Sequence, residues 1–330
     1  MCTAKRFLPV VFAFVMAFAA AVQVQAADPG KLIIYNCNAE DWTLPVIKEF
    51  EKETGITVEN IAGTSGQLMA RIRSESKNPQ ADIMWGGTYD SHLSLVKFLE
   101  PYESKEKAGV NPDFLRPDNA FYPITMDPFL LAYNTNLVKD DEAPRVWADM
   151  LNPKWKGKIA LCEPGKSSSV YSSLITMMKI MGGGFEIMEK LIDNLDGRTV
   201  SSSSAMIQQL SDGEYAVTLI YEEPANKYAK SGAPIKVVYP EDGTMVICGC
   251  IAIIKDAPNM DNAKKFIDFA MSRKAHQMFD SHSRRSTRID VDPPKEMTPL
   301  SEIKYIPFDA QYALDEKNEF LSKWQEYVEQ

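Results

Sequence analysis

Over residues 31–100 the apolar positions alternate between a β-like run and the spacing of a helix. Residues 31–37 are β-rich. Behind them, over 42–53, Leu44, Ile47 and Phe50 recur at helical spacing, and Gly55 supplies the stop. Residues 56–61 predict a second strand and 67–76 a second helix; 82–85 predict a third strand and 91–98 a third helix. The alternation resumes with a strand at 158–162 before a helix over 169–181. Residues 198–200 then lead into a helix over 205–210, and a strand at 215–221 precedes a helix over 224–231. Strands alternating with helices of this length predict parallel sheets covered on both faces.

Two segments break the alternation. Residues 122–133, which include Pro123 and Pro128, are extended and apolar with no helix behind them, and 244–254 is a long β-rich run of small residues. Residues 261–271 follow as an amphipathic helix with Ala263, Phe266, Ile267 and Ala270 on one face. The roughly 300 residues beyond position 26 exceed the usual size of a single core, so two lobes are expected. The expected division is 27–127 with 250–290 as lobe one and 128–249 as lobe two, with 291–330 a C-terminal helical segment packed on both. Such a chain leaves a cleft crossed by strands, and clefts between domains bind small ligands.

The first 26 residues stand outside this pattern. Lys5 and Arg6 precede an apolar run, 7–22, that contains Pro9, and Val24-Gln25-Ala26 supplies the small residues of a signal-peptidase site. The run is short for a membrane span, which needs about 20 apolar residues. Cys2 precedes the run, where a lipoprotein cysteine would follow it. Residues 1–26 therefore read as a cleaved secretory signal, and the mature chain is expected in the periplasm. The full chain carries a net charge of −9, and losing Lys5 and Arg6 makes it more negative still. That balance offers no electrostatic footprint for nucleic acid and argues against adhesion to anionic lipid. Cys37, Cys162, Cys248 and Cys250 read as small core side chains, with Cys248 and Cys250 on one face of a strand. A metal cluster of Cys37, Cys248 and Cys250 is the weaker alternative, since a lone C-x-C is a poor signal.

In open α/β sheets ligands sit beyond the carboxyl ends of strands. Those turns read Asn36-Cys37-Asn38-Ala39-Glu40-Asp41, Gly63-Thr64-Ser65-Gly66 and Trp85-Gly86-Gly87-Thr88-Tyr89-Asp90 in the first half. In the second half they read Glu163-Pro164-Gly165-Lys166-Ser167-Ser168-Ser169, then Ser201 to Ser204, then Tyr221-Glu222-Glu223. Backbone N–H groups, hydroxyls and the positive end of a helix dipole together bind phosphate or carboxylate, although Ser and Thr also cap helices with no ligand present. The candidate ligand-binding residues are Asn38, Thr64, Ser65, Trp85, Gly87, Thr88, Ser167, Ser168, Ser169, Ser202, Ser203, Glu222 and Glu223. Adjacent residues diverge on an emerging strand, so one ligand-facing Glu is expected from the Glu222-Glu223 pair.

Enzyme motifs fail. Gly165-Lys166-Ser167 has Ala160 where a P-loop needs Gly, and Gln67 stands where a nucleophile elbow needs its final Gly. Ser74-Glu75-Ser76-Lys77 has no companion motif, and His92, His276 and His282 form no zinc pattern. A hydrolase using Glu222 or Glu223 is kept as an alternative.

The segments "LIIYN", "TGITV", "GTSGQL", "ADIMWGG", "LAYNTN", "WKGKIAL", "DGEYAVTLIYEE", "GAPIKVVYPEDGT" and "NAKKFIDF" resemble, in order, the type II periplasmic binding proteins of the ferric-ion-binding branch. The resemblance implies an α/β fold of two lobes, each a mostly parallel sheet flanked by helices and joined by strand crossovers. It also implies a non-enzymatic receptor that delivers its solute to an ABC-transporter permease, expected here as a monomer without cofactor. Where ferric members hold His, Glu and a Tyr-Tyr pair, this chain has Ala39, Gly87 and Glu222-Glu223-Pro224, while the family's anion turn is kept as Ser167-Ser168-Ser169. No metal is therefore expected, and a ferric receptor with an atypical ligand set is the alternative. "WGGTYDSH", the run Ser201 to Ser204, "YEEP" and "RRSTRIDV" are similar to members that bind hexose phosphates or aminoethylphosphonate. A small anionic solute is implied, with Arg284, Arg285 and Arg288 as candidate guanidinium donors to the cleft.

Overall fold

A computed structural model describes residues 30–279, 284–295 and 297–329; the expected leader, 1–26, lies outside them. The strands are β1 Lys31–Asn36, β2 Thr57–Ala62, β3 Ile83–Thr88, β4 Leu99–Glu100, β5 Tyr122–Asn134, β6 Ile159–Ala160, β7 Val217–Tyr221, β8 Ile235–Val238, β9 Thr244–Ile254, β10 Arg285–Ser286 and β11 Tyr305–Pro307. The helices are α1 Glu40–Thr54, α2 Ser65–Ser74, α3 Tyr89–Leu93, α4 Ser168–Met181, α5 Glu186–Leu195, α6 Ser203–Ser211, α7 Glu222–Lys230, α8 Met260–Ala270, α9 Arg273–Gln277 and α10 Ala310–Val328. Among the described residues no helix is long and apolar enough to cross a membrane.

The strand order β2-β1-β3-β9-β5-β7-β6 makes one curled sheet. At one end β2, β1 and β3 run parallel, and at the other β6 runs parallel to β7. Between them lie the two segments that broke the alternation in the sequence. β9 is antiparallel to β3 and to the first half of β5, from Tyr122 to Pro128. From Phe129 onward β5 pairs instead with β7 and β8. The change of partner falls at Pro128, which has no N–H to give to a ladder. A register shift between Pro123 and Thr125 bends the same strand. Opposite it stands Gly249, where a Cβ would lie 2.6 Å from the Thr125 hydroxyl oxygen, so the two strands cross closely only because this residue is glycine.

Each half has its own apolar core. On one face of the first half Leu32, Ile34, Phe50, Trp85, Ile251 and Phe266 pack together. On the other face Tyr35, Leu68, Met84, Cys248, Cys250 and Ala252 do so. β9 thus alternates faces with period two, and both of its cysteines point the same way. All four cysteines in the described residues are free, and burial pushes the Cys37 thiol up to about 12. Asp82 ties the returning chain to this half. Its buried carboxylate accepts from Ile33 N at 2.7 Å, Asn259 N at 2.7 Å and Asn259 Nδ2 at 3.0 Å. The second half is built on Leu131, Trp147, Leu174, Met177, Leu191 and Val217, and Phe320 and Trp324 of α10 join the same cluster. α10 also reaches α3 of the first half, and Tyr171 donates its hydroxyl to Ala313 O.

Candidate functional site

α4, α6 and α7 all begin at the same edge of the second half, and their first turns line a cavity of about 470 Å³. Ser167 caps α4, accepting from Val170 N at 3.3 Å, and its hydroxyl lies 2.8 Å from that of Ser169. Ser202 caps α6 by accepting from Ala205 N at 3.2 Å. With each cap held this way, Ser169 and Ser203 face the cavity, joined by Ser173, Ser204, Tyr221, Glu223, Lys227 and Tyr228, over an apolar wall of Phe129, Met206 and Ile207. Uncapped N–H groups at a helix start carry partial positive charge. The cavity therefore combines oriented donors, hydroxyls and one ammonium against a water-poor wall. Ser168 is the first residue of α4.

The first half contributes a different surface. Gly86 and Gly87 both have positive φ, and a Cβ on Gly86 would fall within 2.7 Å of the Asn38 carboxamide. Glycine here lets Asn38 fold over the end of β3, where it donates from N and Nδ2 to Asn36 Oδ1 at 2.9 and 3.2 Å. Gly87 lies among Cys37, Ser65 and Ser91, and the Thr88 hydroxyl is 2.9 Å from that of Ser91.

Two expectations need correction, those for Trp85 and Glu222. Trp85 does not face a ligand: it is 1% exposed and lies edge-on to Trp42 at 5.4 Å within the core. Its place at a strand end is real, but the inward pleat of β3 takes the ring to the apolar side. Thr64 is engaged in a capping box, its hydroxyl accepting from Gln67 N at 3.3 Å and lying 3.0 Å from Gln67 Oε1. Glu222 is fully buried; Arg285 donates to it from Nε at 3.0 Å and Nη2 at 2.6 Å, and Tyr239 donates its hydroxyl as well. Glu223, the next residue in the first turn of α7, lines the cavity.

The basic turn divides likewise. Arg285 is consumed by Glu222, and Arg288 by Asp290 at 2.7 Å, Glu106 at 2.9 Å and Met271 O at 2.7 Å. Arg284 is the one that comes to the cleft, 3.5 Å from Glu223 and with its guanidinium 4.7 Å over the Trp42 ring. Lys227 was missed in the sequence because it reads as an ordinary position on an amphipathic helix. Lys227 also reaches Asp41 of α1 at 3.1 Å, so α7 and α1 meet across the cleft. Among the described residues no three His, Cys, Asp or Glu side chains are grouped to hold a metal ion.

A two-part α/β chain crossed by strands, with a pocket ringed by helix starts, is a binding protein for a small solute. A family model for bacterial extracellular solute-binding proteins matches residues 93–315, and the chain belongs to that family. A putative 2-aminoethylphosphonate-binding periplasmic protein of Salmonella typhimurium is 26% identical over 271 residues, 77% of each chain. Iron uptake protein A1 of Synechocystis is 27% identical over 253 residues, 69% of this chain and 67% of that one. The periplasmic binding protein AfuA of Actinobacillus pleuropneumoniae, solved with exogenous fructose 6-phosphate, superposes with a TM-score of 0.79 at 27% identity, covering 91% of this chain and 99% of that one. Iron-bound HitA of Pseudomonas aeruginosa matches at 0.78 and 20% identity, over 90% of this chain and 99% of that one, a likeness of fold alone. The fold is the two-lobed type II periplasmic binding fold.

Proposed function

We propose that this chain is the periplasmic receptor of an ABC importer and that its solute is a small phosphate ester or phosphonate. Lobe one is taken as 27–127 with 250–290, lobe two as 128–249, and 291–330 as a C-terminal segment laid across them. The observation that carries the reading is the meeting of the α4 and α6 first turns, with Ser169 and Ser203, in one cavity beside Lys227. A phosphate there would accept several charge-assisted hydrogen bonds, each worth about 1.5–3 kcal/mol. Two relatives support the class of solute: the Salmonella protein by its name and the Actinobacillus protein by its bound sugar phosphate.

The ferric alternative has less to stand on. Hard Fe(III) prefers phenolate and carboxylate oxygens, and Glu222, at the family's tyrosine position, already neutralises Arg285. A hydrolase built on Glu222 and Glu223 loses one of its two carboxylates for the same reason. The chain acts without turnover, as a monomer, after its leader is removed. Calorimetric titration with 2-aminoethylphosphonate, fructose 6-phosphate, inorganic phosphate and Fe(III) citrate tests this. A phosphorylated compound should bind and Ser203→Ala should weaken it about tenfold; tight stoichiometric iron with no phosphorylated ligand would reverse the proposal.

A further inference from the structure

Beyond the serine-lined cavity, where the two halves meet, lies a second group of polar side chains. The Tyr221 hydroxyl, Arg284 Nε and Asp90 Oδ1 are all buried, and none finds a hydrogen-bond partner among the described residues. Buried polar atoms of this kind are rare in folded proteins and ask for a partner. The fourth member is Asp127, half-buried on β5 one residue before that strand changes partners at Pro128.

The charges around Asp127 do not balance. Glu222 and Arg285 neutralise each other, and Glu223 shares Arg284 at 3.5 Å. Asp127 feels Arg284 and Arg285 as attraction and Glu222 and Glu223 as repulsion, but burial outweighs all four and its carboxyl is pushed up to about 7. The phenol of Tyr221 is held well above its ordinary range by burial, then by Asp127 and Asp90. Asp127 stands opposite Ile247 of β9 where the two strands cross, and Phe129, two residues on and on the same face of β5, lines the serine cavity. An acid in such surroundings is stabilised by a donor that reaches it.

We infer that Asp127, together with Tyr221 and Arg284, forms a second solute subsite that reads a hydrogen-bond-donating group, hydroxyl or ammonium, on the part of the solute remote from its phosphorus. This rests on the phosphate reading of the neighbouring cavity and extends it. The two subsites share Tyr221, which lines the serine cavity, so one small molecule spans them. Helix starts hold the anionic end, and an acid at the strand crossing holds the donor end. An acid there disfavours a bare anion, which gives the receptor a means of rejecting inorganic phosphate.

The test compares Asp127→Asn and Asp127→Ser with the parent by calorimetry, after each melting temperature is checked. The probes are methylphosphonate, which lacks a donor; 2-aminoethylphosphonate, which carries an ammonium; and fructose 6-phosphate, which carries hydroxyls. Asp127→Asn should weaken one donor-bearing probe at least tenfold while methylphosphonate changes less than twofold or binds better. Loss confined to 2-aminoethylphosphonate identifies an ammonium reader, and loss confined to fructose 6-phosphate a hydroxyl reader. Asp127→Ser should show the same split and provides the test if Asp127→Asn does not fold. Equal weakening of all three probes, or no change in any, overturns the subsite while leaving the phosphate cavity standing. A parent that binds none of the three overturns both.

Discussion

Replacing Glu222 by Gln separates a structural carboxylate from a ligand-binding one. In the folded chain Glu222 is 0% and Arg285 2% exposed. Two guanidinium donors and the Tyr239 hydroxyl converge on the carboxylate, and Arg285 Nη2 also donates to Thr298 O at 2.7 Å. The amide keeps the shape but removes the negative charge and turns two hydrogens toward groups that are themselves donors. A guanidinium charge is then left buried without its counter-ion, a change that costs about 3–5 kcal/mol. Unfolding entropy near 2.1 cal/mol/K per residue gives about 0.6 kcal/mol/K for some 300 residues, so the melting temperature should fall by roughly 5–8 °C. Scanning calorimetry at neutral pH reads the shift, and titration calorimetry on the same preparation should find solute affinity within about threefold of the parent. Changing both partners together, Glu222→Leu with Arg285→Met, should recover most of the loss, because apolar pairs of similar volume replace buried ion pairs well. A drop below 1 °C accompanied by a tenfold loss of affinity would show that Glu222 faces the solute and would refute the reasoning.

Ser203→Ala should cost about tenfold in affinity for the bound phosphorylated solute with little change in melting temperature, since Ser202 and not Ser203 caps α6; titration calorimetry with a melt control reads both. Lys227→Ala should weaken binding and flatten its dependence on salt, because Lys227 is the ammonium lining the cavity and exposed charges are screened by ions; affinity measured from low to physiological ionic strength checks it. Because the folded Asp127 carboxyl titrates at about 7 against an unfolded value near 3.9, the proton is held more tightly in the folded state. The stability this contributes is full below about pH 4 and is lost as pH rises through 7. Melting temperatures of the parent and Asp127→Asn across pH 4–8 should therefore converge at the acid end and separate toward neutral pH in favour of the variant. Trp85→Ala should destabilise by about 3–5 kcal/mol, as expected for a buried aromatic, and denaturant melts should show it whether or not solute is present.

The fold was legible because its period carried it. Leu44, Ile47 and Phe50 gave α1, and the two segments without helices became β5 and β9, the strands that join the halves. α5 carries Ile187, Leu191 and Leu195 at helical spacing, but the three glycines at 182–184 directly before it are a helix-stop signal that masks a helix beginning two residues later. The serine turns at α4 and α6 were readable from composition and position. What composition could not supply was direction. Trp85 and Trp42 are both aromatic residues near a strand end, and only packing shows that both rings belong to the core, Trp85 against Phe266 and Trp42 against Phe279, with Arg284 laid over the Trp42 ring. The Glu222–Arg285 pair joins residues 63 positions apart, a distance at which no local pattern reports pairing. Asp127 was hidden in an extended apolar segment, where a lone acid looks like a break in a strand until the strand is seen to cross between halves.

The central claim is that one cavity, built from the first turns of α4 and α6, holds the phosphorus end of a small solute. A structure of the chain grown with 2-aminoethylphosphonate or fructose 6-phosphate tests it most directly. The account predicts phosphoryl oxygens within hydrogen-bond reach of Ser169 and Ser203 and of backbone N–H groups at both helix starts. A phosphoryl group seated instead against Asn38 and Ser65, or an iron ion coordinated by Tyr221 and Tyr228 in the same cavity, would contradict it.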